Sequence, residues 1–218
     1  MTSRRGALCL VLAAVCPAQV AEQANEGYRS VESRRRMARM LDGPHRDAWQ
    51  KPAELVAAMK LKPGMTVVDL GTGPGYLLPY LSEAVGPSGK VLALEIHEDF
   101  LDKARKKSAA RKLTNIVFVL GSETDVNLPP KCADVILVLD TYHHFNYPER
   151  MLAGIREALK NHGRLIVVDY YKRHFRDPGH VRLEDTEAIH EIEAEGFRLV
   201  SRQDHIPGSQ YLLVLKKR

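Results

Sequence analysis

Apolar residues along this chain gather into short runs separated by amphipathic stretches. The runs are Val67-Val68 with Leu70, Val91–Leu94, Ile116–Leu120, Ala133–Leu139 and Leu165–Val168, then Phe197–Val200 and Tyr211–Leu215. Short runs rich in valine and isoleucine predict strands, and a nearly continuous one such as Ala133–Leu139 suits a strand covered on both faces, as in a parallel sheet. Leu77, Leu78, Leu81 and Val85 recur at helical spacing between the first two runs. Further helices are predicted at His97–Lys112, Pro148–Lys160 and Leu183–Glu195, with Asn161-His162-Gly163 as a glycine stop for the second of these. Strands alternating with helices predict an α/β fold with helices on both faces of a mostly parallel sheet. The last two runs flank Pro207-Gly208 with no helix between them, which predicts an antiparallel pair. Upstream, Pro52 suits the first turn of a helix at Ala53–Lys60, and Leu61-Lys62-Pro63-Gly64 ends it. Residues 22–51 are polar and charged, a helical extension interrupted at Gly43-Pro44.

The first strand runs into Asp69-Leu70-Gly71-Thr72-Gly73-Pro74-Gly75-Tyr76. Glycine removes the Cβ where backbone passes close to a ligand and permits positive φ, and a strand–glycine turn–helix unit is a common nucleotide-binding device. The dinucleotide fingerprint needs glycine at a third position that falls here on Tyr76, so that template fails. What stands instead, Asp-x-Gly-x-Gly-x-Gly, resembles motif I of the class I S-adenosylmethionine (SAM)-dependent methyltransferases. The resemblance runs from about Pro52 to the C-terminus. It implies a Rossmann-like seven-stranded sheet, SAM as cofactor, Asp69 on its amino-acid end, and Gly71, Thr72, Gly73, Gly75 and Tyr76 along its sugar and methionine parts. Glu95 closes the second strand twenty residues past Gly75. A carboxylate there can accept from two adjacent ribose hydroxyls, and it matches the acidic residue of the family's motif II. Ile96 is expected on the adenine face. Relatives carry Gly-Asp after the third strand; this chain has Ser122 and Glu123, the expected adenine contacts, with Asp125 as a third candidate.

The fourth strand delivers Asp140-Thr141-Tyr142-His143-His144-Phe145 to the carboxyl edge, where open α/β sheets bind ligands. This block resembles the His-His-Phe segment of quinone-biosynthesis and other small-molecule methyltransferases. It implies His143 or His144 as a base where the acceptor must lose a proton, with Asp140 and Tyr142 as weaker candidates and Asp140 also near the cofactor. Acceptor contacts are expected from Tyr142 and His144, from Tyr171 and His174 in the loop after the fifth strand, and from His45, Arg46 and Trp49 if the extension closes as a lid. The plainer alternative is that Trp49 only packs the extension onto the domain. The Asn/Asp-Pro-Pro-Tyr/Phe motif of amino-group enzymes and a Pro-Cys nucleophile are both absent from the sequence, so a small-molecule acceptor is expected. Two rival functions are a nicotinamide-dependent oxidoreductase and a non-catalytic SAM-binding protein. Asp140 and Asp169 echo the metal-dependent catechol O-methyltransferases. Tyr170, however, occupies a ligand's place, and no Cys/His cluster has zinc spacing, so no metal is expected.

Composition refines this picture at the N-terminus. Arg4 and Arg5 precede a ten-residue apolar run, Ala7–Cys16, then Pro17, Ala18 and Ala21. Residues 1–21 thus read as a signal peptide cleaved after Ala18, which implies a periplasmic or secreted protein, or a cytoplasmic one if it is uncleaved. The run is too short to span a bilayer, and Val15 before Cys16 is a poor lipobox. Of three cysteines only Cys132 follows the leader, so no internal disulfide can form. The remaining 22–51 and 52–218 are expected as extension and catalytic domain, a single core in a chain of 218 residues. The net charge of +5 is concentrated partly in Arg34–Arg36 and Lys216–Arg218 without interleaved aromatics, and nucleic-acid binding is not expected.

Overall fold

The computed structural model describes residues 20–218. The leader features at Arg4 to Ala18 lie outside the described residues, and no helix among those described is long and apolar enough to cross a membrane. Strands β1 (Thr66–Leu70), β2 (Lys90–Glu95), β3 (Ile116–Leu120), β4 (Ala133–Leu139), β5 (Leu159–Tyr170), β6 (Phe197–Ile206) and β7 (Gln210–Lys217) form one sheet in the order β3-β2-β1-β4-β5-β7-β6. The first five run parallel, while β7 is antiparallel to both β5 and β6. Two apolar layers cover the sheet. Leu55, Leu78, Leu81 and Leu137 belong to one, and Ile136, Leu152, Ile155 and Phe197 to the other. β4 supplies both, with Val135 and Leu137 on one face and Ile136 and Val138 on the other. This is why its sequence is apolar without alternation.

The helices are α1 (Glu22–Asn25), α2 (Val31–Leu41), α3 (Arg46–Gln50), α4 (Pro52–Met59), α5 (Leu78–Val85), α6 (Glu98–Ala110), α7 (Pro148–Ala158) and α8 (Asp185–Ala194). Ser30 caps α2, its hydroxyl accepting from the Ser33 N–H at 3.0 Å. The stretch from Glu22 to Gln50 is built of several short helical pieces.

The junction of α7 and β5 differs from the sequence expectation. The helix ends at Ala158, and Leu159–Gly163 are already strand, with Leu159 paired opposite Ala133. Gly163 does not cap a helix. Its missing Cβ leaves room for the Ala133 and Lys160 carbonyl oxygens, each 3.1 Å from where that atom would lie. The β6–β7 hairpin also extends further than its apolar residues imply, because backbone pairing continues through Gln203 and Asp204 to the turn at Gly208, φ +70°.

The sheet order brings the C-terminal ends of β1, β2 and β4 together, so Leu70, Glu95 and Leu139 all reach one edge. There Gly71 and Thr72 both donate N–H to the Leu94 carbonyl oxygen, at 2.9 and 3.0 Å. Gly71 has φ +80°, and a Cβ there would collide with the Thr141 side chain. Gly75, φ +82°, packs on α6, a Cβ lying 3.0 Å from the Ala104 Cβ. Placing a side chain on left-handed backbone costs about 1–3 kcal/mol. Gly75→Ala is therefore expected to destabilise the protein by at least about 1 kcal/mol, read as a lower urea midpoint at unchanged slope. An unchanged midpoint would remove the packing role assigned to this glycine.

Candidate functional site

The edge formed by β1, β2 and β4 is the floor of a cleft whose roof is the N-terminal extension. Asp69, Gly71, Thr72, Gly73, Tyr76, Glu95, Ile96, Ser122, Glu123, Asp140 and His144 line it, as do Asn25, Tyr28, Leu41 and Arg46 from the roof. The turn is built around two carboxylates. Asp69 accepts from the Thr72 hydroxyl at 2.7 Å. Glu95 accepts from the Gly73 N–H at 3.0 Å and, with its other oxygen, from the N–H groups of Ile96 and His97 at 2.8 and 3.1 Å.

Asp140 follows β4 with left-handed backbone, φ +50°, and its side chain accepts from the Gln210 amide at 2.6 Å. Strain of this kind in a non-glycine residue persists where the surroundings over-determine it. Here Gln210 on β7, Tyr170 at the end of β5 and Arg46 from the roof all converge on this carboxylate. Burial pushes Asp69 up to about 6, against the pull of Thr72 and Arg46. Burial likewise raises Glu95 to about 7, against its three N–H donors, and Asp140 to about 7, against Arg46. Burial disfavours the charged form of each.

Arg46 is the cation among them. Its Nη1 donates to the Leu41 carbonyl at 2.7 Å, its Nη2 lies 3.4 Å from Asp140, and its guanidinium sits 4.1 Å above the Tyr76 ring. Its Nε, although buried, has no partner among the described residues.

Polar ties fasten the roof at several points. Tyr76 and Tyr80 both donate to Asp47, at 2.7 and 2.5 Å. Arg34 donates to both oxygens of Asp99, and Lys107 pairs with Asp42. The Ala21 N–H donates to the Asn146 side chain at 3.2 Å, and the Tyr28 ring lies edge-on to His144, centroids 5.0 Å apart.

Several residues predicted for the site stand elsewhere. His45 is exposed and Trp49 is 47% exposed, because the inward face of α3 carries Arg46 and Gln50 instead. Tyr142 is sealed beneath the cleft, its hydroxyl donating to Glu191. Tyr171 is buried with its hydroxyl on Asp204 at 2.6 Å, and exposed His174 is bonded through Nδ1 to the Gly208 carbonyl at 2.7 Å. Neither reaches the cleft lining, nor do Asp125 and Gly75. Asn25, Tyr28, His97 and Phe100 line the cleft with no sequence signal beyond polarity or aromaticity.

The adjacent histidines separate in role. His143 is buried, its N–H and Nδ1 meeting the two Asp169 oxygens at 3.0 and 2.7 Å. Burial opposes a charge on this ring, yet Asp169 outweighs it and raises the pKa. His144 lines the cleft. Burial and the neighbouring His143 and His180 hold it well below the ordinary histidine range, so its neutral form prevails at pH 7. His180 completes a group of three imidazoles.

A family profile for the methyltransferase domain matches residues 61–206. The ubiquinone/menaquinone biosynthesis C-methyltransferase UbiE of Burkholderia cenocepacia is 28% identical over 133 residues, which cover 61% of this chain and 53% of that protein. An uncharacterized 37.1 kDa protein in a Streptomyces fradiae transposon is 29% identical over 113 residues, 52% of this chain and 32% of its own length. The chain thus spans about half or less of the length of these curated relatives. Among solved structures, a SAM-dependent methyltransferase from Aquifex aeolicus is 28% identical with TM-score 0.78, covering 83% of this chain and 96% of that one. The [4+2]-cyclase SpnF, 17% identical with TM-score 0.67 over 77% of this chain and 81% of its own, shares the fold. With its profile match, its sheet order and its glycine turn, the chain belongs to the methyltransferase domain family and is built as a class I SAM-dependent methyltransferase.

Proposed function

We propose that this protein transfers a methyl group from SAM to a small-molecule acceptor. The observation that carries this is a single cleft lined at once by the glycine turn, Asp69, Glu95 and His144, with Asn25 and Tyr28 of the roof. When bound, SAM supplies a methyl group on a cationic sulfonium, open to in-line displacement by the acceptor.

The residues present suit that donor. Three carboxylates around one guanidinium give the cleft a net negative charge once ionised, matched to the sulfonium and ammonium groups. The Nε of Arg46, unpartnered among the described residues, is a buried donor available to a carboxylate. Gly73 has φ +54°, and among the described residues its missing Cβ would meet only Leu41, at 3.7 Å, so backbone lies open to the cleft. Glu95 can accept from paired ribose hydroxyls, and Ile96, Ser122 and Glu123 line the adenine side. Methyl transfer depends on positioning and exclusion of water more than on covalent help from the protein. Phe145, Met151 and Tyr28 supply apolar surface beside His144 for the acceptor. The roof closes over this end, which favours a compact molecule over a macromolecular side chain. The family assignment sets the nicotinamide reading aside, and a non-catalytic SAM-binding protein remains the rival.

Calorimetric titration of the full chain with SAM is expected to show micromolar binding. Asp69→Asn and Arg46→Ala should each weaken it at least tenfold, about 1.4 kcal/mol. No binding by the intact protein would sink the proposal. Binding without turnover across phenols, quinols, thiols and amines would favour the non-catalytic rival.

Proton linkage gives a second expectation. Asp69 near 6 and Glu95 and Asp140 near 7 must each lose a proton to accept from the donor. SAM affinity should therefore rise with pH between about 5.5 and 8, by up to tenfold per unit for each carboxyl titrated. The same groups act oppositely on the ligand-free fold. They hold protons more tightly when folded than when unfolded, so their contribution is present below about 4 and lost as pH rises through about 7. A pH-independent affinity would show that these carboxyls are already ionised in the free protein.

A further inference from the structure

The three imidazoles beside the cleft form an arrangement that methyl transfer from SAM does not require. His143 and His144 lie on the short helical turn Tyr142–His144 after β4, while His180 comes from the loop before α8. One ring nitrogen of each lies within 4.8 Å of one from each of the others. Their ring centroids are 4.1, 5.0 and 5.5 Å apart.

The hydrogen bonds around the first two rings fix which nitrogen carries the proton. Asp169 accepts the N–H groups of His143 and Tyr170 as well as facing the His143 Nδ1, so it is an acceptor there and Nδ1 is the donor. Asn25 donates its amide to the His144 carbonyl at 3.0 Å, which turns its oxygen toward the His144 Nδ1, 2.9 Å away. That nitrogen is therefore also the donor. In the neutral rings both Nε2 atoms then carry a lone pair, and among the described residues neither makes a hydrogen bond. A histidine whose Nδ1–H is held by a carboxylate or amide oxygen, leaving Nε2 bare, is the second-shell pattern of metal-ligating imidazoles. The third ring, His180, is steadied by stacking on Phe175, centroids 5.4 Å apart and planes 14° from parallel.

We propose that His143, His144 and His180 bind a divalent transition-metal ion, zinc in the first instance. Imidazole ligands suit zinc, cobalt, nickel and copper, whereas magnesium and calcium take oxygen ligands. Tetrahedral zinc, with bonds of about 2.0–2.1 Å, sets its ligand nitrogens roughly 3.3 Å apart. The cluster must contract on binding. His180 is placed to do this, because its loop is exposed from Arg176 to Gly179 and, among the described residues, its own N–H bonds only to the Asp177 carbonyl. Asp169 beneath His143 and Asp140, which acts on that ring through space, supply compensating negative charge. Three protein ligands leave a fourth position, the arrangement of catalytic rather than structural zinc sites. His144 itself lines the cleft, so that position opens on the acceptor side and suits an oxygen, nitrogen or sulfur donor of a small molecule. The metal site stands whether or not SAM is the methyl donor.

The test uses tag-free full chain, freed of metal with a chelator and titrated with zinc, cobalt and magnesium ions alone. One zinc or cobalt ion is expected per chain, at micromolar affinity or tighter, with visible absorption of tetrahedral cobalt and no binding of magnesium. His180→Ala, in a half-buried loop residue outside the sheet, should weaken zinc and cobalt at least a hundredfold, with secondary structure unchanged by circular dichroism. His190→Ala, in an exposed histidine of α8, should leave affinity as it was. Absence of zinc and cobalt binding at about 100 μM would overturn the proposal, as would equal affinity in His180→Ala or equal loss in His190→Ala. SAM titration of the same preparations separates a failed metal site from a failed cofactor site.

Discussion

Three carboxylates drawn out of water at one sheet edge, Asp69 and Glu95 buried and Asp140 nearly so, are the constraint that the rest of this structure answers. Asp69, Glu95 and Asp140 come from β1, β2 and the end of β4, strands that the sheet order makes neighbours. Ionised carboxylates out of water are costly unless hydrogen bonds and opposite charge replace their hydration. The turn supplies N–H donors to Glu95, Thr72 serves Asp69, and Gln210 serves Asp140. Arg46 supplies the compensating charge, and it comes from outside the α/β core. The extension is therefore part of the electrostatic balance of the site. Its inward face carries Arg46 and Gln50 because those carboxylates and Gln210 need them, while the larger, more apolar Trp49 is left outside.

The proposed acceptor side follows a different logic. Its shape comes from the end of β4, from Asp169 at the end of β5 and from the roof residues Asn25 and Tyr28. A fold neighbour named as a cyclase is a reminder that this sheet does not dictate one reaction. What differs between such proteins is the set of groups presented beside the donor, and here those groups are imidazoles whose protons are fixed by their neighbours.

Much of the fold was legible because strands buried on both faces leave continuous apolar runs, and because the Asp-x-Gly-x-Gly-x-Gly turn and Glu95 are separated by a fixed strand and helix. The start of β5 was not legible. Leu159 continues the helical spacing of α7, and only its pairing with Ala133 makes it strand. Gly75 fits the motif by position, yet its missing side chain makes room for Ala104 rather than for the cleft. His180 joins His143 and His144 across an intervening helix and strand, so no local spacing announces it. Tyr171 and His174 follow β5 as expected but turn toward the β6–β7 hairpin, where Asp204 and the Gly208 carbonyl are their partners.

The ties that hold the roof lie mainly at its margin: Arg34 on Asp99, Lys107 on Asp42, and two tyrosine hydroxyls on Asp47. Partly exposed ion pairs are individually weak and are screened by salt. The roof is therefore closed by many small attachments rather than by a large apolar interface. Such a cover can lift and reseat on the timescale of local opening without unfolding the sheet beneath it. On the proposed reading, ligand exchange would follow how often these attachments let go together, and ionic strength would act on it far from the reacting atoms.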